Sequence, residues 1–492
     1  MKMENRMEKL KRNSGILLHI TSLPSDYGWG TFSSYAKSFV DFLCDGGFGV
    51  WQVLPFSECA FGNSPYSSIS SFAINKYFLN VSQFLSTSEL NDLGLYNCES
   101  MQDFHSKMDS AISIICDKYR DNYSTLDFRK TNKYWVEDYA TFVVAKKVFD
   151  GAPWTQWPDG IKNRIKLDLE NFKSEHKKEI NDIILIQYLL DNQWKKIKEY
   201  ANQKGIEIFG DIPFYVELDS ADVWVAPKNW CLENGKPKLV AGVPPDYFNA
   251  DGQLWGNPIY NFAYMSKNKF DFWLKRIKRQ SELFDILRID HFVAFSRYWA
   301  IPASSKTAKS GKWIKGAGNA LLKVITSKCK IKIVAEDLGI VTEDVTVLKD
   351  KYGIPGVKVM QFAFDGEGDN IYQPHNYEKN CVAYLGTHDN NTTMGLLNEG
   401  NWDKINRMKK YVRMSIEEGN DVLIENLFVS LYRSSANLII LTAQDILHYG
   451  SDTRMNVPGV AEGNWTWKLS GELNRDMCGK FKDWAYTYGR TK

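Results

Sequence analysis

Short apolar runs, most of them followed by helical or loop-like sequence, recur along the whole chain. Eight of these runs are rich in β-branched residues and have the length of buried parallel strands. They lie at residues 16–20 (ILLHI), 50–55 (VWQVLP), 206–213 (IEIFGDIP), 286–291 (ILRIDH), 331–337 (IKIVAED), 357–362 (VKVMQF), 381–389 (CVAYLGTHD) and 438–447 (LIILTAQDIL). Eight strands favour an α/β fold of the (β/α)8 TIM-barrel type over an open doubly wound sheet.

Polar and charged side chains stand at the ends of most of these runs. They are His19, Gln52, Asp211, Arg288, Asp290, Glu336, Asp337, His388 and Asp389. The carboxyl ends of barrel strands converge on one mouth, where the active sites of such barrels lie. Core packing alone would not place charges there repeatedly, so the pattern predicts a catalytic mouth.

Two segments exceed what a minimal barrel needs. Residues 83–200 show Lys/Glu faces with apolar residues spaced by three and four, which predicts helices. Residues 214–285 are rich in Pro, Gly, Asn and Trp, which favours a loop-built wall. We predict a single elaborated catalytic barrel over residues 1–492, with a mainly helical insertion at 83–200 and a loop-rich insertion at 214–285 that forms the wall of the substrate cleft. The short tail after the last run leaves no room for a C-terminal β-sandwich domain.

The charge balance and the cysteines exclude several classes of protein. Lys and Arg total 61 against 59 Asp and Glu, and this near-neutrality argues against a nucleic-acid partner. No apolar run reaches the roughly 18 residues of a membrane span, and the N-terminus has no secretory apolar region. The eight Cys residues form no CxxC pair, as expected of free thiols in the cytoplasm. No metal-ligand spacing and no phosphate-binding glycine loop is present, so we expect no metal and no cofactor.

Aromatic residues make up 14% of the chain, with 16 Trp, 25 Tyr and 27 Phe. Most of them are expected in the core. An alternative use is a sugar-binding cleft, because flat aromatic rings match the apolar faces of pyranose rings while Tyr and Trp also offer a polar edge.

Three carboxylates at strand ends suggest which chemistry the mouth performs. Asp290, Glu336 and Asp389 follow three different strands, and each one alone is as well explained by a helix cap or an ion pair. Cleavage of a glycosidic bond needs one carboxylate to attack or shield the anomeric carbon and a protonated one to release the leaving oxygen. Arg288, two residues before Asp290, shares its side of the strand and would keep Asp290 ionised.

Eight motifs in order identify the chain as similar to a known family. They begin at Arg12 (RNSGILLHITSLPSDYGWGTF), Asn63 (NSPYSSISSFAINKYFL), Gly210 (GDIPFYVELDSADVW), Pro244 (PPDYFNADGQLWGNP), Leu287 (LRIDHF), Val334 (VAEDLGIVT), Gly386 (GTHDNNTT) and Arg454 (RMNVPGVAEGNWTWKL). Together they resemble the amylomaltases, the 4-alpha-glucanotransferases of glycoside hydrolase family 77. The resemblance implies the barrel with inserted subdomains and without a C-terminal β-sandwich.

The resemblance also implies roles for individual residues. In that family the Asp of RIDHF is the nucleophile, the Glu of AEDLG is the acid/base and the Asp of HDN stabilises the transition state. These positions are Asp290, Glu336 and Asp389 here. In retaining enzymes the nucleophile and the acid/base lie roughly 5 to 5.5 Å apart, which we predict for Asp290 and Glu336.

Further residues are implied as sugar ligands. Those expected to hold or orient the sugar at the cleavage point are Tyr66, Asp211, Arg288, His291 and His388. The segment from Pro244 resembles a flexible loop over the acceptor cleft. Its tip residues would be Tyr247 and Phe248, followed by Gln253, Trp255 and Asn257 along the donor and acceptor sugars.

The chain departs from the family pattern at five places. Asn63, Val293 with Ala294, Ala300, Ala317 and Asn391 replace the usual residues, and none of them is a catalytic carboxylate. Val293 and Ala300 replace an Arg and a Glu. The paired loss is consistent with one exchanged ion pair, which costs little when both charges go together.

The sequence therefore predicts a cytoplasmic 4-alpha-glucanotransferase that transfers alpha-1,4-glucan segments between malto-oligosaccharides and releases glucose. We expect retaining double displacement without a cofactor, in a monomer or a homodimer. Three alternatives stay open: an alpha-1,4-glucan hydrolase using the same carboxylates, a glucan-binding protein that has lost catalysis, and, less favoured, a phosphorylase.

Overall fold

The structure is a computed structural model that describes residues 8–60, 62–245, 249–339, 342–366, 368–460 and 462–491. Eight parallel strands form its centre, and we number them β1 to β8 along the chain. They are Asn13–Leu17 (β1), Val50–Gln52 (β2), Glu207–Ile212 (β3), Ile286–Ile289 (β4), Lys332–Ala335 (β5), Gly356–Val359 (β6), Cys381–Tyr384 (β7) and Leu438–Thr442 (β8).

The strands close into a barrel. Their order is β5-β4-β3-β2-β1-β8-β7-β6, and the Ala335 amide of β5 donates to the Pro355 carbonyl beside β6 at 2.9 Å. Every strand is buried along nearly its whole length, as expected when helices cover the outside and side chains fill the inside. All eight predicted runs lie on these strands, so the predicted fold class is confirmed.

The first strand lies earlier in the chain than its apolar run indicates. The run covers residues 16–20, whereas β1 is Asn13–Leu17 and a 3-10 turn begins at Ile20. The polar residues Asn13 and Ser14 pair with Leu438 and Ile439 of β8, which the hydrophobic pattern could not reveal. His19 consequently lies beyond the strand end, at the mouth.

Helices surround the barrel and fill the segment between β2 and β3. The α-helices outside that segment are Ser34–Asp45, Ala221–Val225, Phe262–Lys267, Asp271–Leu283, Val293–Ser296, Gly318–Lys328, Glu343–Tyr352, Thr393–Asn398, Trp402–Tyr411, Asn420–Arg433, Ala443–Ile446 and Cys478–Thr487. Those inside it are Thr87–Asp92, Met101–Tyr119, Leu126–Thr131, Val136–Val148, Asp159–Lys162, Lys166–Glu175 and Lys177–Gln203. The last of these leads into β3 and buries Trp194 against Phe32 and Phe56, so it also serves as a barrel helix.

The segment from residue 214 contains more regular structure than its Pro and Gly content predicts. An antiparallel sheet joins the strands Lys312–Lys315, Arg297–Pro302, Leu239–Val243 and Gln253–Pro258, in that order. A short ribbon pairs Leu232–Glu233 with Lys236–Pro237. A Cβ at Gly242 would lie 2.1 Å from the Gln253 carbonyl oxygen, so glycine at this position allows the strands to meet. Long-range pairing stabilises this sheet, and local pattern analysis does not detect such pairing.

Residues after β8 cover one side of the barrel. Among those that the structure describes there, none is in a strand, and the last helix, Cys478–Thr487, packs its Phe481 on Phe48 and Phe428. No helix in the described part of the chain is both long enough and apolar enough to cross a bilayer.

Candidate active site

The ends of β3 and β4 meet at a buried arginine. Arg288 of β4 donates to Asp211 Oδ2 of β3 at 2.5 Å and to Asp290 Oδ1 at 2.7 Å. Asp211 and Arg288 face each other because the parallel register pairs them directly. Asp211 is fully buried, whereas about a third of the Asp290 side chain is exposed. Of the two carboxylates on this arginine, only Asp290 opens to the cleft.

Tyr66, which the family resemblance places at the cleavage point, contacts this pair. Its hydroxyl donates to Asp211 Oδ2 at 2.9 Å, and its ring stacks on His388 at 5.3 Å and 17°. Burial raises the pKa of Asp211 to about 6, with Arg288 opposing and Asp290 reinforcing the rise. Asp211 therefore holds Tyr66 and Arg288 together from below the cleft.

Asp290 and Glu336 lie side by side on neighbouring strands. The register pairs Ile289 of β4 with Ala335 of β5, so the next residue of each strand meets its counterpart, and the Glu336 amide donates to the Ile289 carbonyl at 3.1 Å. The Glu336 carboxylate accepts two backbone N–H groups, from His291 at 2.8 Å and from Leu338 at 3.0 Å. Backbone donors thus hold one carboxylate next to another.

The environment keeps Glu336 protonated at neutral pH. Burial and the neighbouring charge of Asp290 raise the pKa of Glu336 to about 8, against the smaller opposing effects of Arg288 and the two amides. A carboxylic acid that keeps its proton at pH 7 is suited to general acid catalysis.

His291 follows Asp290 in a left-handed backbone conformation, with φ of 50°. This conformation is costly for a residue with a side chain, and it directs the His291 amide to Glu336. Burial lowers the pKa of His291 to about 4, so the ring is neutral at pH 7. Its buried Nε2 has no hydrogen-bond partner within the described residues.

Asp389 lies at the end of the β7 segment and is held in its ionised form. Burial alone would raise its pKa, but His388 at 3.3 Å, the Asn456 side-chain amide at 2.7 Å and Arg288 hold that pKa well below its ordinary value. Arg454 donates to the Asp389 carbonyl at 2.7 Å. The mouth therefore contains a carboxylate that stays charged, Asp389, and a carboxylic acid that stays neutral, Glu336. Glu336 follows the strand next to that of Asp290.

The predicted cleft segment from Pro244 contributes a strand, not only a loop. Trp255 of the strand Gln253–Pro258 is 37% exposed, and its ring lies 4.7 Å from His291. Its indole N–H donates to Gln253 Oε1 at 3.0 Å, so these two predicted ligands share one face of the strand. Asn257 donates inward to the Val216 carbonyl at 3.1 Å. Tyr247 and Phe248 lie outside the described residues.

Sequence analysis missed three residues of this site. Asn456 and Arg454 hold Asp389, and the Trp465 ring lies 5.8 Å from both Tyr66 and His388. All three belong to the motif RMNVPGVAEGNWTWKL. The motif was visible, but its place beside β7 depends on the tertiary fold.

His19 lies between the core and the site. Its Nδ1 accepts the Leu54 amide at 3.2 Å, and burial together with His388 lowers its pKa to about 3, so it is neutral. His19 and His388 line the same small cavity, of about 20 Å³. Within the described residues, no group of three or more His, Cys, Asp or Glu is arranged to hold a metal ion.

Comparison with known proteins agrees over the whole chain. The family model described as 4-alpha-glucanotransferase, glycoside hydrolase family 77, matches residues 18–474. The 4-alpha-glucanotransferase of Clostridium butyricum is 39% identical over 96% of this chain and 100% of its own length. That of Thermus thermophilus is 37% identical over 97% of this chain and 99% of its own length.

Solved structures agree with the sequence relatives. The amylomaltase from Streptococcus agalactiae in complex with acarbose superimposes with a TM-score of 0.92 at 35% identity, over 98% of this chain and 100% of that one. The amylomaltase from Corynebacterium glutamicum, at 16% identity and a TM-score of 0.76, shares the fold.

Proposed function

This chain belongs to the 4-alpha-glucanotransferase family, glycoside hydrolase family 77, and on that premise we propose how its mouth moves alpha-1,4-glucan segments. The chain is a glucanotransferase enzyme acting on alpha-glucans, and family membership supports transfer over hydrolysis or a purely binding role. The carboxyls at the strand ends carry out the steps of that reaction in this proposal.

In the first step Asp290 acts as the nucleophile and Glu336 as the acid. An Asp290 oxygen attacks the anomeric carbon while the bond from that carbon to the glucan oxygen breaks and Glu336 gives that oxygen its proton. The hydrogen bond from Arg288 aims the Asp290 carboxylate, which is partly exposed to the cleft. The departing glucan, or glucose when the donor is cut near its reducing end, leaves as an alcohol.

In the second step Glu336, now ionised, acts as the base. It takes the proton of an acceptor sugar hydroxyl while that oxygen attacks the anomeric carbon, the bond to Asp290 breaks and the carboxylate is restored. Two inversions give net retention. The single observation that carries this assignment is the pair of adjacent strand-end carboxyls in which Glu336 has a pKa of about 8 beside Asp290 on Arg288.

Asp389 stabilises the charge of the transition state in this scheme. It stays ionised, and its position beside the Tyr66–His388 stack suits hydrogen bonds to the sugar hydroxyls that tighten as positive charge develops on the ring. Tyr66 stacks on the sugar, and His291 Nε2 and His388 bind its hydroxyls.

Transfer requires a sugar hydroxyl to reach the intermediate before water does. Trp255, exposed beside His291, offers a stacking surface on the acceptor side, and Gln253 and Asn257 line the same strand. From the family resemblance we propose that Tyr247 and Phe248, which lie outside the described residues, contact the acceptor sugar. A stacked acceptor is held in place for attack, and it displaces water from the site.

The preferred substrates in this proposal are malto-oligosaccharides, in glycogen, starch or maltodextrin metabolism, and the enzyme acts without a cofactor. We further propose a cytoplasmic location, consistent with eight free cysteines, and a monomer or homodimer. Cell fractionation and light scattering of the purified protein would test these two points.

Incubation with maltotriose alone tests the reaction. Glucose and a ladder of longer maltodextrins at a constant number of reducing ends are expected, and an Asp290→Asn variant should form neither. A rising number of reducing ends would mean hydrolysis, and release of glucose 1-phosphate only with added phosphate would mean phosphorolysis. Full activity in the Asp290→Asn variant would overturn the nucleophile assignment.

A further inference from the structure

The two ends of the strand order, β5 and β6, meet at a seam directly below Glu336. Across this seam the Ala335 amide donates a backbone hydrogen bond to the Pro355 carbonyl, at 2.9 Å. One residue beyond Glu336, the side chain of Asp337 makes the second connection. Its Oδ1 accepts the Val357 amide of β6 at 2.7 Å.

Asp337 fits tightly against the backbone of β6. A Cβ at Gly356 would lie 2.2 Å from Asp337 Oδ2, so the carboxylate occupies the space that any larger residue would need. The side chain is only 7% exposed. Burying a carboxylate is costly unless hydrogen-bond donors and an opposite charge stabilise it.

A buried lysine stands behind Asp337. Lys349, on the helix Glu343–Tyr352, has a side chain only 3% exposed, and its Nζ lies 3.7 Å from Asp337 Oδ2 and 3.2 Å from Glu378 Oε1. Asp350 is a third acid within 3.4 Å. The lysine thus connects the seam to the helix that follows it.

The same short loop supplies a donor to Glu336. The Leu338 amide, next to Asp337, donates to Glu336 Oε1 at 3.0 Å, and the other carboxylate oxygen takes the His291 amide of the neighbouring strand end. If the loop moved away from β6, the Leu338 amide would move with it and one of the two anchors of Glu336 would be lost.

We propose that Asp337 is a positioning residue, which fastens the loop after β5 to β6 and so fixes the orientation of the Glu336 carboxyl in the cleft. This rests on the proposed role of Glu336 as the acid/base. The charged and titratable groups around Glu336 are Asp290 and Arg288 from β4 and Tyr372 from the segment after β6. Those around Asp337 are Lys349, Lys358, Glu378 and Tyr372.

The test compares Asp337→Ala with Asp337→Asn and with a matched variant at the other end of the barrel. Glu207 of β3 accepts a hydrogen bond from another buried lysine, Lys332, whose Nζ lies 2.5 Å away. Glu207→Ala therefore removes an ion pair to a buried lysine far from Glu336, from a carboxylate that is more exposed than Asp337. Steady-state turnover of maltotriose between pH 5 and 10, thermal stability and first-turnover fluoride release from a maltosyl fluoride are measured for all three variants and for Glu336→Gln.

Both alanine variants are expected to lose stability, Asp337→Ala more so because its carboxylate is buried. At a temperature where both are folded, only Asp337→Ala should lose turnover, on the order of 10- to 100-fold, with KM changed less than about 3-fold. Its alkaline limb should move to lower pH because water reaches Glu336. First-turnover fluoride release should stay near normal, since fluoride leaves without a proton. Asp337→Asn keeps an oxygen that accepts the Val357 amide. Its turnover and the position of its alkaline limb should therefore be much closer to those of the unchanged enzyme.

Two results would overturn the inference about Asp337 without affecting the assignment of Glu336. One is an equal loss of turnover in Asp337→Ala and Glu207→Ala. The other is an Asp337→Asn variant that loses as much turnover as Asp337→Ala and shows the same shift of the alkaline limb, which would mean that only the charge matters. A Glu336→Gln variant that still turns over maltotriose would remove the acid assignment itself and the inference with it. The expected Glu336→Gln enzyme releases fluoride in its first turnover but does not cleave maltotriose.

Discussion

Two buried arginines at opposite ends of the barrel show how the fold separates chemistry from stability. Arg288 at the mouth is surrounded by carboxylates: Asp211, Asp290 and, farther off, Glu336. Arg490 at the base is fully buried, and its hydrogen bonds to described residues all go to backbone carbonyls, among them those of Tyr432, Ser434 and Ala436. The two residues have the same charge and nearly equal burial, and they differ only in what surrounds them.

The pKa values of the two guanidinium groups move in opposite directions. Burial favours the neutral form of both, but Asp211 and Asp290 outweigh it at Arg288 and raise its pKa well above the ordinary value. Burial and the nearby Arg12 lower the pKa of Arg490. Arg12 donates to the same carbonyls, those of Tyr432, Ser434 and Ala436, where the helix Asn420–Arg433 ends and the chain enters β8.

The surroundings of a buried arginine therefore differ between the two ends: carboxylates at the mouth and backbone carbonyls at the base. Carbonyls at a helix C-terminus lack partners of their own and attract cations. Arg12 and Arg490 at the base therefore bind the backbone carbonyls after the helix Asn420–Arg433. The mouth uses its arginine to orient one carboxylate and to support another. Changes at each end should therefore separate turnover from folding.

Arg288→Met should have the largest effect, a loss of turnover of about 10³-fold or more, because Asp290 loses the group that aims it and the mouth loses its positive charge. Asp211 would then be buried without a cation. Because its pKa is already raised to about 6, any loss of stability should be present above that pH and fade as the carboxyl protonates below it. Maltotriose kinetics and thermal unfolding at pH 5 and pH 8 measure both. A variant with equal losses at both pH values would contradict this account.

Alkaline pH should have the next largest effect. The Glu336 proton is needed in the first step, so turnover should fall about tenfold per unit above a pH of about 8. The raised pKa of Glu336 also makes the stability of the fold depend on pH. The contribution of Glu336 to stability is complete below the ordinary carboxyl pKa and is lost as pH rises through about 8. The unfolding temperature of Glu336→Gln, relative to the unchanged enzyme, should therefore increase from pH 4 to pH 9. A flat difference would show that Glu336 is not perturbed.

Asn456→Ala should cost about tenfold in turnover, since a charge-assisted hydrogen bond to Asp389 is lost and the carboxylate is less well oriented. Asn456→Asp is the sharper comparison, because it places a second carboxylate against Asp389 and raises its pKa. The acid limb of the pH profile should then move to higher pH in the aspartate variant. Identical profiles in both variants would exclude a role through Asp389.

Arg490→Met should change turnover least, by less than about twofold at a temperature where the variant is folded. Its cost appears in the free energy of unfolding, about 2 to 4 kcal/mol, because the buried carbonyls of Tyr432, Ser434 and Ala436 each lose one of their two arginine donors. Arg475, an exposed arginine paired with Asp45, is the matched control, and Arg475→Met should cost less than about 1 kcal/mol. Urea unfolding measures both. A drop in turnover without a drop in stability would contradict the separation of the two ends.

Local pattern predicted some parts of the molecule and missed others for identifiable reasons. The eight strands were visible because a buried parallel strand is apolar on both faces, a property that neighbouring residues show by themselves. The strand Gln253–Pro258 was missed because its Gly and Pro content indicates a loop, whereas its pairing with Leu239–Val243 is what makes it a strand. The start of β1 was missed because its polar residues are held by pairing with β8.

The candidate site divides in the same way. The motifs placed Asp290, Glu336 and Asp389 at strand ends, because each follows an apolar run along the chain. They gave no sign that Glu336 and Asp389 would have pKa values shifted in opposite directions. Nor did they indicate that Asn456, 67 residues after Asp389, would hold its carboxylate.

Strand periodicity and motif order are properties of neighbouring positions, and they were enough to predict the barrel, the family and the identity of the residues at the mouth. The tertiary structure was needed to decide that the pKa values of Glu336 and Asp389 move in opposite directions, that Asp211 shares Arg288 with Asp290, and that Arg12 and Arg490 meet at the base. Charges interact through space and burial rather than along the chain, so their consequences exist only once distant strands have been brought side by side.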